Sequence, residues 1–266
     1  MTLPALRYFI VDAFTDRPFS GNPAAVVPLP EWLEDDWLQN VAMEMNLSET
    51  AFMVKEDNGY RLRWFTPKVE VALCGHATLA SAHVLWSEGY VSPSEEIRFL
   101  TKSGLLKAAR KDSSVELDFP VKPPTQCSPP PGLLEALGTS AQHAARNQFD
   151  YLVEVESEEL VRQLTPDFAR LSSLDIRGVI VTSQSATPQF DFVSRFFAPR
   201  VGVNEDPVTG SAHCCLGPYW QARLGKSEFS AFQASARGGV LQVRVAGDRV
   251  YLAGKAVTVC RGELLA

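Results

Sequence analysis

The chain has 266 residues, of which 45% are hydrophobic, enough to bury one large core or two ordinary ones. Lysine and arginine total 25 against 31 acidic residues, for a formal charge of −6. This balance argues against a general affinity for nucleic acid or for an anionic membrane. We therefore expect a protein that acts on a small molecule, with no nucleic-acid partner and no membrane partner.

The amino-terminal stretch and the cysteines both favour a cytoplasmic location. MTLPALRYFIVDAF has no basic leader, and Asp12 interrupts its apolar run, so no signal peptide is expected. The five cysteines are odd in number and unevenly spaced, which does not suit a disulfide framework. A reducing compartment, the cytoplasm, is the prediction.

The first half of the chain reads as alternating strands and helices. LRYFIVDAF and NPAAVVPL are predicted strands, and EDDWLQNVAMEM is a predicted helix with acids in its first turn. TAFMVKEDNGYRLRWFT follows as a hairpin with Asn58-Gly59 at its turn. The next helix runs from Gly75 to Glu88 and is apolar on nearly every side. Such a helix is expected to be wrapped by other structure.

The proline-rich segment KPPTQCSPPPG, residues 122–132, is the best linker candidate. We therefore predict a domain of residues 1–120 and a domain of residues 121–266, with the last residues free to pack back on the first. After the linker the pattern repeats: FDFVSRFFAPRVGVNEDPVTGSAH parallels YRLRWFTPKVEVALCGHAT. Each has a strand, a Pro-containing loop and a glycine that opens an apolar helix. An internal duplication is predicted.

The two repeated helix starts, at Gly75 and Gly210, suggest what the duplication is for. The first turn of a helix exposes unpaired backbone N–H groups and the positive end of the helix dipole. Two such ends brought together in a cleft between the domains would hold a carboxylate or enolate oxygen.

The residues before these glycines differ: Cys74 precedes Gly75 in the first repeat, and Thr209 is at the matching position in the second. Two facing thiols could act as base and acid on a carbon acid, so this difference disfavours a two-thiol racemase. A free cysteine is most often a small buried side chain, and this is the interpretation favoured for Cys74.

No metal or cofactor is predicted. Cys74, His76, His213 and Cys214 lack the paired spacing of a zinc site. LGKSE at 224–228 lacks the upstream glycine of a phosphate-binding loop, and no G-x-G-x-x-G follows a strand. A G-x-S-x-G nucleophile motif is also absent from the sequence.

Several motifs in one order resemble the phenazine-biosynthesis PhzF-like isomerase family, whose fold is shared with diaminopimelate epimerase. The motifs are DAFTDRPFSGNPAAV, NLSETAF, ALCGHATLASAHVL, NEDPVTGSAH and ARGG, and they extend along nearly the whole chain. The resemblance implies an α+β fold of two pseudo-symmetric domains, each a curved β-sheet or barrel wrapped around a central apolar helix. It also implies a homodimer that needs no cofactor.

The same resemblance assigns roles to individual residues. It implies that Glu49 is the general acid/base and that His76, Asp206 and Ser211 line the site of a small carboxylate-bearing substrate. The backbone at Gly75, Gly210 and Thr209 would then contribute to an oxyanion pocket.

Each of these side chains also has a plain structural interpretation. An arbitrary glutamate such as Glu49 is most often a solvated surface acid. His76 could cap its helix, or act as a neutral imidazole because the helix dipole disfavours its cation. Asp206 could be an ionised substrate ligand, could orient His76, or could be an N-terminal cap.

Three functions remain open at the level of sequence. The first is a cofactor-independent isomerase that moves a proton and a double bond, with Glu49 as the proton shuttle. The second is a cysteine-dependent racemase or epimerase of amino acids, which lacks a thiol at Thr209. The third is a non-catalytic binding or regulatory protein, because a fold alone does not guarantee chemistry.

Overall fold

The computed structural model describes residues 5–265, and the chain folds as two compact units. One unit comprises Met1–Asp118 with Ala253–Ala266, and the other comprises Phe119–Leu252. Both contain strands and helices, and the predicted α+β class is confirmed. None of the helices among the described residues is long and apolar enough to cross a membrane.

Along the chain, runs of two to four strands are separated by one or two helices. The strands are β1 (Leu6–Ala13), β2 (Asn22–Leu29), β3 (Glu49–Glu56), β4 (Gly59–Phe65), β5 (Glu70–Val71), β6 (Ile97–Thr101), β7 (Gly104–Lys111), β8 (Ser114–Pro120), β9 (Thr125–Gln126), β10 (His143–Arg146), β11 (Asp150–Glu154), β12 (Gly178–Gln184), β13 (Phe192–Phe197), β14 (Glu228–Gln233), β15 (Gly239–Ala246), β16 (Arg249–Gly254) and β17 (Ala256–Leu264). The helices are α1 (Asp35–Met45), α2 (Gly75–Ser87), α3 (Leu133–Leu137), α4 (Glu158–Gln163), α5 (Phe168–Ser173) and α6 (Gly210–Leu224).

Strand pairing repeats between the two units. In the first, β17 pairs antiparallel with β1, and the series continues β1–β2 antiparallel, β2–β3 parallel, β3–β4 antiparallel, β4–β6 parallel and β6–β7 antiparallel. In the second, β9 pairs antiparallel with β10, followed by β10–β11 antiparallel, β11–β12 parallel, β12–β13 antiparallel, β13–β14 parallel and β14–β15 antiparallel. The order of six pairings is the same, as an internal duplication requires.

Helix α2 is the centre of the first unit. Ten of its 13 residues are buried, and it packs against β1, β2, β3 and β17. Its buried hydroxyls are satisfied within the helix: Thr78 donates to the Cys74 carbonyl oxygen at 2.5 Å, and Ser81 donates to that of Ala77 at 2.7 Å. The sequence prediction of a wrapped, apolar helix is therefore confirmed.

Helix α6 has the same place in the second unit, where it packs against β15. A side chain at Gly217 would bring its Cβ to 3.0 Å from Val245 Cγ2 and to 3.2 Å from Val243 Cγ1, so glycine permits the close approach of helix and sheet. On another side of the helix, Trp220 stacks on Phe192 with ring centroids 5.6 Å apart. Both rings are almost completely buried, as expected of a core.

Candidate functional site

Four polar side chains meet in the first unit at the start of α2. Cys74 is the N-cap residue of this helix, and His76 is its second residue. Glu49 is the first residue of β3, and Asn22 is the first residue of β2, two strands that pair in parallel. Parallel strands that begin at the same edge of a sheet, beside a helix start, thus place side chains from distant parts of the sequence together.

The distances show that His76 is the centre of this group. Its Nε2 lies 3.2 Å from Glu49 Oε2. Its Nδ1 lies 3.2 Å from Asn22 Nδ2 and 3.5 Å from Cys74 Sγ. Glu49 Oε2 and His76 Nε2 are buried and within ion-pair distance, but their angles do not form an aligned hydrogen bond with each other or with any other described group.

The contact with Asn22 links the orientation of its amide to the positions of the imidazole protons. As the amide is oriented, Asn22 Nδ2 donates to His76 Nδ1, which leaves the proton of a neutral ring on Nε2, facing Glu49. With the amide turned over, its oxygen would accept a proton from Nδ1 and thereby suit the imidazolium.

The loop between β1 and β2 holds Asn22 in place. Phe19 has a left-handed backbone with φ of 68°, and its N–H donates to the buried carboxylate of Asp12 at 2.6 Å. Gly21 also has positive φ, and a Cβ there would lie 2.1 Å from the Ala13 carbonyl oxygen. The glycine of the Gly-Asn-Pro sequence is therefore required by both conformation and space.

We expect Gly21→Ala to destabilise the first unit by about 2 kcal/mol or more, because it adds a clash with backbone to the cost of positive φ. Gly89→Ala is the matched control, since Gly89 has φ of 75° and no other atom lies within 4 Å of the position that a Cβ would take. Urea unfolding of both variants separates the clash from the conformational cost. Equal losses of unfolding free energy would contradict the expectation.

The electrostatics of the group favour a protonated His76. Burial is the largest single influence and lowers the pKa of His76, but the interactions of the ring with Cys74 and with Glu49 outweigh it and raise this pKa above its usual value. Burial, followed by the Glu49 charge, raises the pKa of the Cys74 thiol, which keeps the thiol protonated near neutral pH. Glu49 is therefore the partner that sustains the imidazolium. The expectation of a neutral imidazole rested on the helix dipole alone and did not include this carboxylate, so the charge state of His76 stays a prediction.

A second polar group lies in the other unit, before α6. Thr209 Oγ1 donates to Asp206 Oδ2 at 2.6 Å. The fully buried Gln233 of β14 accepts from the Thr209 N–H at 2.8 Å and donates to the Asp206 carbonyl oxygen at 2.7 Å. Gln233 thus forms hydrogen bonds with Asp206 and with Thr209, at the two ends of the loop that leads into α6. These bonds position the first residue of the helix, Gly210.

Ser211, the second residue of α6, lies beside a cation. Its Oγ is 3.5 Å from Arg177 Nη2. Arg177 forms a bidentate ion pair with Asp150, which is 1% exposed, and its guanidinium lies over the rings of Phe149 and Phe196 at 5.2 and 5.7 Å. A buried carboxylate and two rings therefore hold a positive charge next to the helix start.

The candidate residues from the sequence thus fall into one group in each unit. Glu49, Gly75 and His76 belong to the first, and Asp206, Thr209, Gly210 and Ser211 belong to the second. Sequence reasoning missed Asn22, Gln233 and Arg177. Only Asn22 stands in a recognisable motif, Gly-Asn-Pro, whereas an isolated Gln or Arg in a strand or loop has no local signature.

One of the polar groups also suits a metal ion. Among residues 5–265, Glu49, Cys74 and His76 bring a carboxylate oxygen, a thiol sulfur and an imidazole nitrogen within 4.8 Å of one another. Cys214 and His213, considered from the sequence with Cys74 and His76, are not in this group. Burial raises the pKa of the Cys214 thiol to about 12, so it is a poor source of thiolate.

The fold and these groups define a class. A hydroxyproline epimerase from Agrobacterium vitis shares the fold alone, with a TM-score of 0.65, 14% identity and coverage of 99% of this chain and 94% of that chain. The chain is thus one of the α+β proteins with the duplicated epimerase-type fold. Within that class, the model of the PhzC-PhzF family, described as phenazine biosynthesis-like protein, matches residues 11–262, and the chain belongs to this family.

Two relatives illustrate how close the match is. An uncharacterized isomerase of Halalkalibacterium halodurans is 55% identical over 266 residues, which cover 100% of this chain and 99% of that protein. The crystal structure of a PhzF-family phenazine biosynthesis protein from Enterococcus faecalis superposes with a TM-score of 0.94 at 46% identity, covering 98% of this chain and 99% of that chain. The resemblance inferred from the motifs is confirmed, and the chain belongs to a family of isomerases.

Proposed function

We propose that the chain is a cofactor-independent isomerase that moves a proton, and with it a double bond, on a small carboxylate-bearing substrate. The observation that carries this proposal is the partly buried carboxylate of Glu49, 3.2 Å from the imidazole of His76 at a helix start. A carboxylate beside an imidazole at a helix start is suited to general-base catalysis on a carbon acid.

The proposed reaction consumes no co-reactant. The Glu49 carboxylate takes a proton from an activated carbon of the substrate, and the electron pair of the broken C–H bond delocalises toward the substrate's unsaturated or carboxyl group. The protonated Glu49 then returns the proton to a different carbon on the same face. The double bond shifts, and Glu49 ends the cycle ionised again.

His76 and the first turn of α2 would stabilise the intermediate. A protonated imidazole at 5% exposure offers a strong hydrogen-bond donor, and the backbone at Gly75 supplies further donors at the positive end of the helix. When substrate is bound, the Nε2–H that faces Glu49 can turn to an enolate oxygen. This role uses a fixed donor that needs little reorganisation.

The second group is proposed to bind the substrate. Asp206, held by the Thr209 hydroxyl, suits an ammonium or hydroxyl substituent, and Ser211 with the N–H groups of Gly210 and Ser211 suits a carboxylate. The tie from Gln233 supports this role because it leaves the loop little freedom. Participation of both groups in one reaction, and the homodimer, remain predictions.

The experiment that tests the proposal is proton exchange in D₂O followed by NMR. Purified protein is incubated with a panel of cyclic and acyclic unsaturated or amino carboxylates that includes dihydroaromatic amino acids. The expected result is deuterium on one carbon of at least one compound. If no compound exchanges, yet one of them raises the melting temperature, the binding-protein hypothesis replaces the isomerase.

A cysteine-dependent racemase is distinguished by Cys74→Ser. The thiol touches the imidazole but has no partner thiol at Thr209, whose hydroxyl is hydrogen-bonded to Asp206. We expect Cys74→Ser to exchange the substrate proton at a rate within about tenfold of wild type, because the thiol does not carry that proton. A loss as large as that of Glu49→Gln, with the melting temperature unchanged, would favour the racemase.

A further inference from the structure

The trio of Glu49, Cys74 and His76 unites three kinds of donor in a buried place. Their exposed fractions are 18% for the Glu49 side chain, 7% for Cys74 and 5% for His76. Carboxylate oxygen, thiolate sulfur and imidazole nitrogen are the three donor types that Zn²⁺ takes from proteins. Three protein ligands with a fourth position left for water is a familiar arrangement for this ion.

The distances are close to what zinc requires. Metal–ligand bonds of roughly 2.0–2.3 Å in a tetrahedron place neighbouring donor atoms roughly 3.3–3.6 Å apart. Cys74 Sγ lies 3.5 Å from His76 Nδ1, and Glu49 Oε2 lies 3.2 Å from His76 Nε2. These two contacts are made by different nitrogens of the ring, but the three ligand atoms all lie within 4.8 Å of one another. An ion bound through one ring nitrogen therefore requires the side chain beside the other nitrogen to move closer.

A second observation points to a ligand between these groups. His76 Nε2 and Glu49 Oε2 are buried and make no hydrogen bond with any described group, although they face each other at 3.2 Å. A buried polar atom without a hydrogen bond destabilises the folded state, and a cation bonded to both atoms would remove that cost. With its amide turned over, the oxygen of Asn22 would accept from Nδ1–H and so orient an imidazole bound to the metal through Nε2.

We propose that Glu49, Cys74 and His76 bind Zn²⁺ and that the bound ion inhibits the protein. On binding, the Cys74 thiol and the His76 imidazolium each lose one proton to solvent. The resulting thiolate and neutral imidazole, together with the Glu49 carboxylate, each donate a lone pair to the ion without any change of oxidation state. The ion occupies the Glu49 oxygen that would accept the substrate proton. Metal binding stands by itself, whereas inhibition rests on the proposed function.

Cobalt titration tests the site without any substrate. Co²⁺ takes the same donors as Zn²⁺ and reports a thiolate ligand through a charge-transfer band in the near ultraviolet. The expected result is this band with one equivalent of Co²⁺, and its disappearance when Zn²⁺ displaces the cobalt. A wild-type protein that gives no thiolate band at stoichiometric cobalt overturns the proposal.

Four variants test the assignment of the ligands. Cys74→Ser should lose the band, whereas Cys260→Ser, which removes an exposed thiol elsewhere in the same unit, should keep it. Asn22→Ala should weaken Co²⁺ binding by about 10–100-fold, as the loss of a residue that orients a metal ligand does. Melting curves recorded without metal show whether each variant is folded. If Cys74→Ser does not fold, Glu49→Gln takes its place as the variant that lacks a ligand. An undiminished band in folded variants lacking Cys74 or Glu49 would refute the assignment.

The inhibition is measured separately, in the D₂O exchange assay with the substrate found there. Zn²⁺ should stop exchange by the wild type at the concentration that displaces cobalt, and a chelator should restore it. Cys74→Ser should need at least about tenfold more Zn²⁺, since it lacks one of three ligands. If no compound exchanges, the proposed function fails while the cobalt titration still decides the metal site.

Discussion

Glu49→Gln is expected to slow proton exchange on the substrate by about 10²–10⁴-fold, the usual contribution of a general acid/base. Glutamine keeps the volume of the side chain but has no carboxylate to accept a proton. The rate of deuterium incorporation, measured by NMR with saturating substrate, gives the effect on the chemical step. The substrate dissociation constant should change much less, because binding is assigned to other groups.

The matched control is Glu44→Gln, which removes the same charge from the exposed surface of α1. It should leave exchange at the wild-type rate, so that a loss in Glu49→Gln is not an effect of net charge. Because Glu49 also sustains the imidazolium of His76, Glu49→Gln should in addition lower the pKa of His76, which a titration of its ring resonances would show. Wild-type exchange by a folded Glu49→Gln protein would remove Glu49 from its proposed role.

Those parts of the fold with strong local patterns could be predicted from the sequence. The all-round apolar character of the stretch after Gly75 predicted a wrapped helix, and α2 runs from Gly75 to Ser87. The Asn58-Gly59 turn predicted a hairpin, and β3 pairs antiparallel with β4 across it. The recurrence of the strand, Pro, Gly and helix pattern predicted a duplication, which the order of strand pairing shows.

The short helices of the second unit were not predicted from the sequence, although two of them have recognisable N-terminal caps. The Ser157 hydroxyl accepts from the Leu160 N–H at the start of α4, and Asp167 accepts from the Arg170 N–H at the start of α5. Each helix has six residues, too few to show a helical period. Their stability comes from packing on a core cluster that includes Val161 and Leu171.

The site could be predicted only where its residues stand in motifs. Glu49 and His76 were identified through the family resemblance, but their proximity depends on the placement of β3 beside the start of α2. Asn22 contacts His76 across 54 positions in the sequence, and Gln233 holds Thr209 across 24. Contacts of this kind depend on tertiary structure and have no local periodicity. The charge state of His76 likewise depends on Glu49, a neighbour that the sequence does not place beside it.

At the start of each duplicated helix, the side chain of the fourth residue contacts the carbonyl oxygen of the N-cap residue, but the two residues that do so differ. In α2, the fourth residue is Thr78, whose hydroxyl donates to the Cys74 carbonyl oxygen. In α6, the fourth residue is His213, whose Nδ1 lies 2.8 Å from the Thr209 carbonyl oxygen. The hydroxyl and the imidazole thus contact equivalent carbonyl oxygens, each four residues earlier in its own helix. Only the imidazole can acquire a positive charge.

Acid should therefore destabilise the second unit through His213. Its ring is completely buried against Phe192, its Nε2 has no hydrogen-bond partner among the described residues, and burial lowers its pKa from 6.5 to about 4, with the bond to Thr209 opposing the shift. Between these values the unfolded chain binds a proton that the folded protein excludes. The stability associated with a neutral His213 is thus fully present above pH 6.5 and is lost as the pH falls toward 4.

The expected loss is roughly 3 kcal/mol between these pH values, from about 1.4 kcal/mol per pH unit. His213→Thr, which adopts the residue of the matching position in α2, keeps a donor for the Thr209 carbonyl and cannot titrate. Urea unfolding at pH 7 and pH 4 should show that the variant loses less free energy than wild type by about this amount, whatever its packing cost at pH 7. His143→Thr, at a partly buried histidine in the same unit, is the control and should lose as much as wild type. Parallel losses in wild type and His213→Thr would show that His213 is charged in the folded protein at low pH, and that its environment admits water.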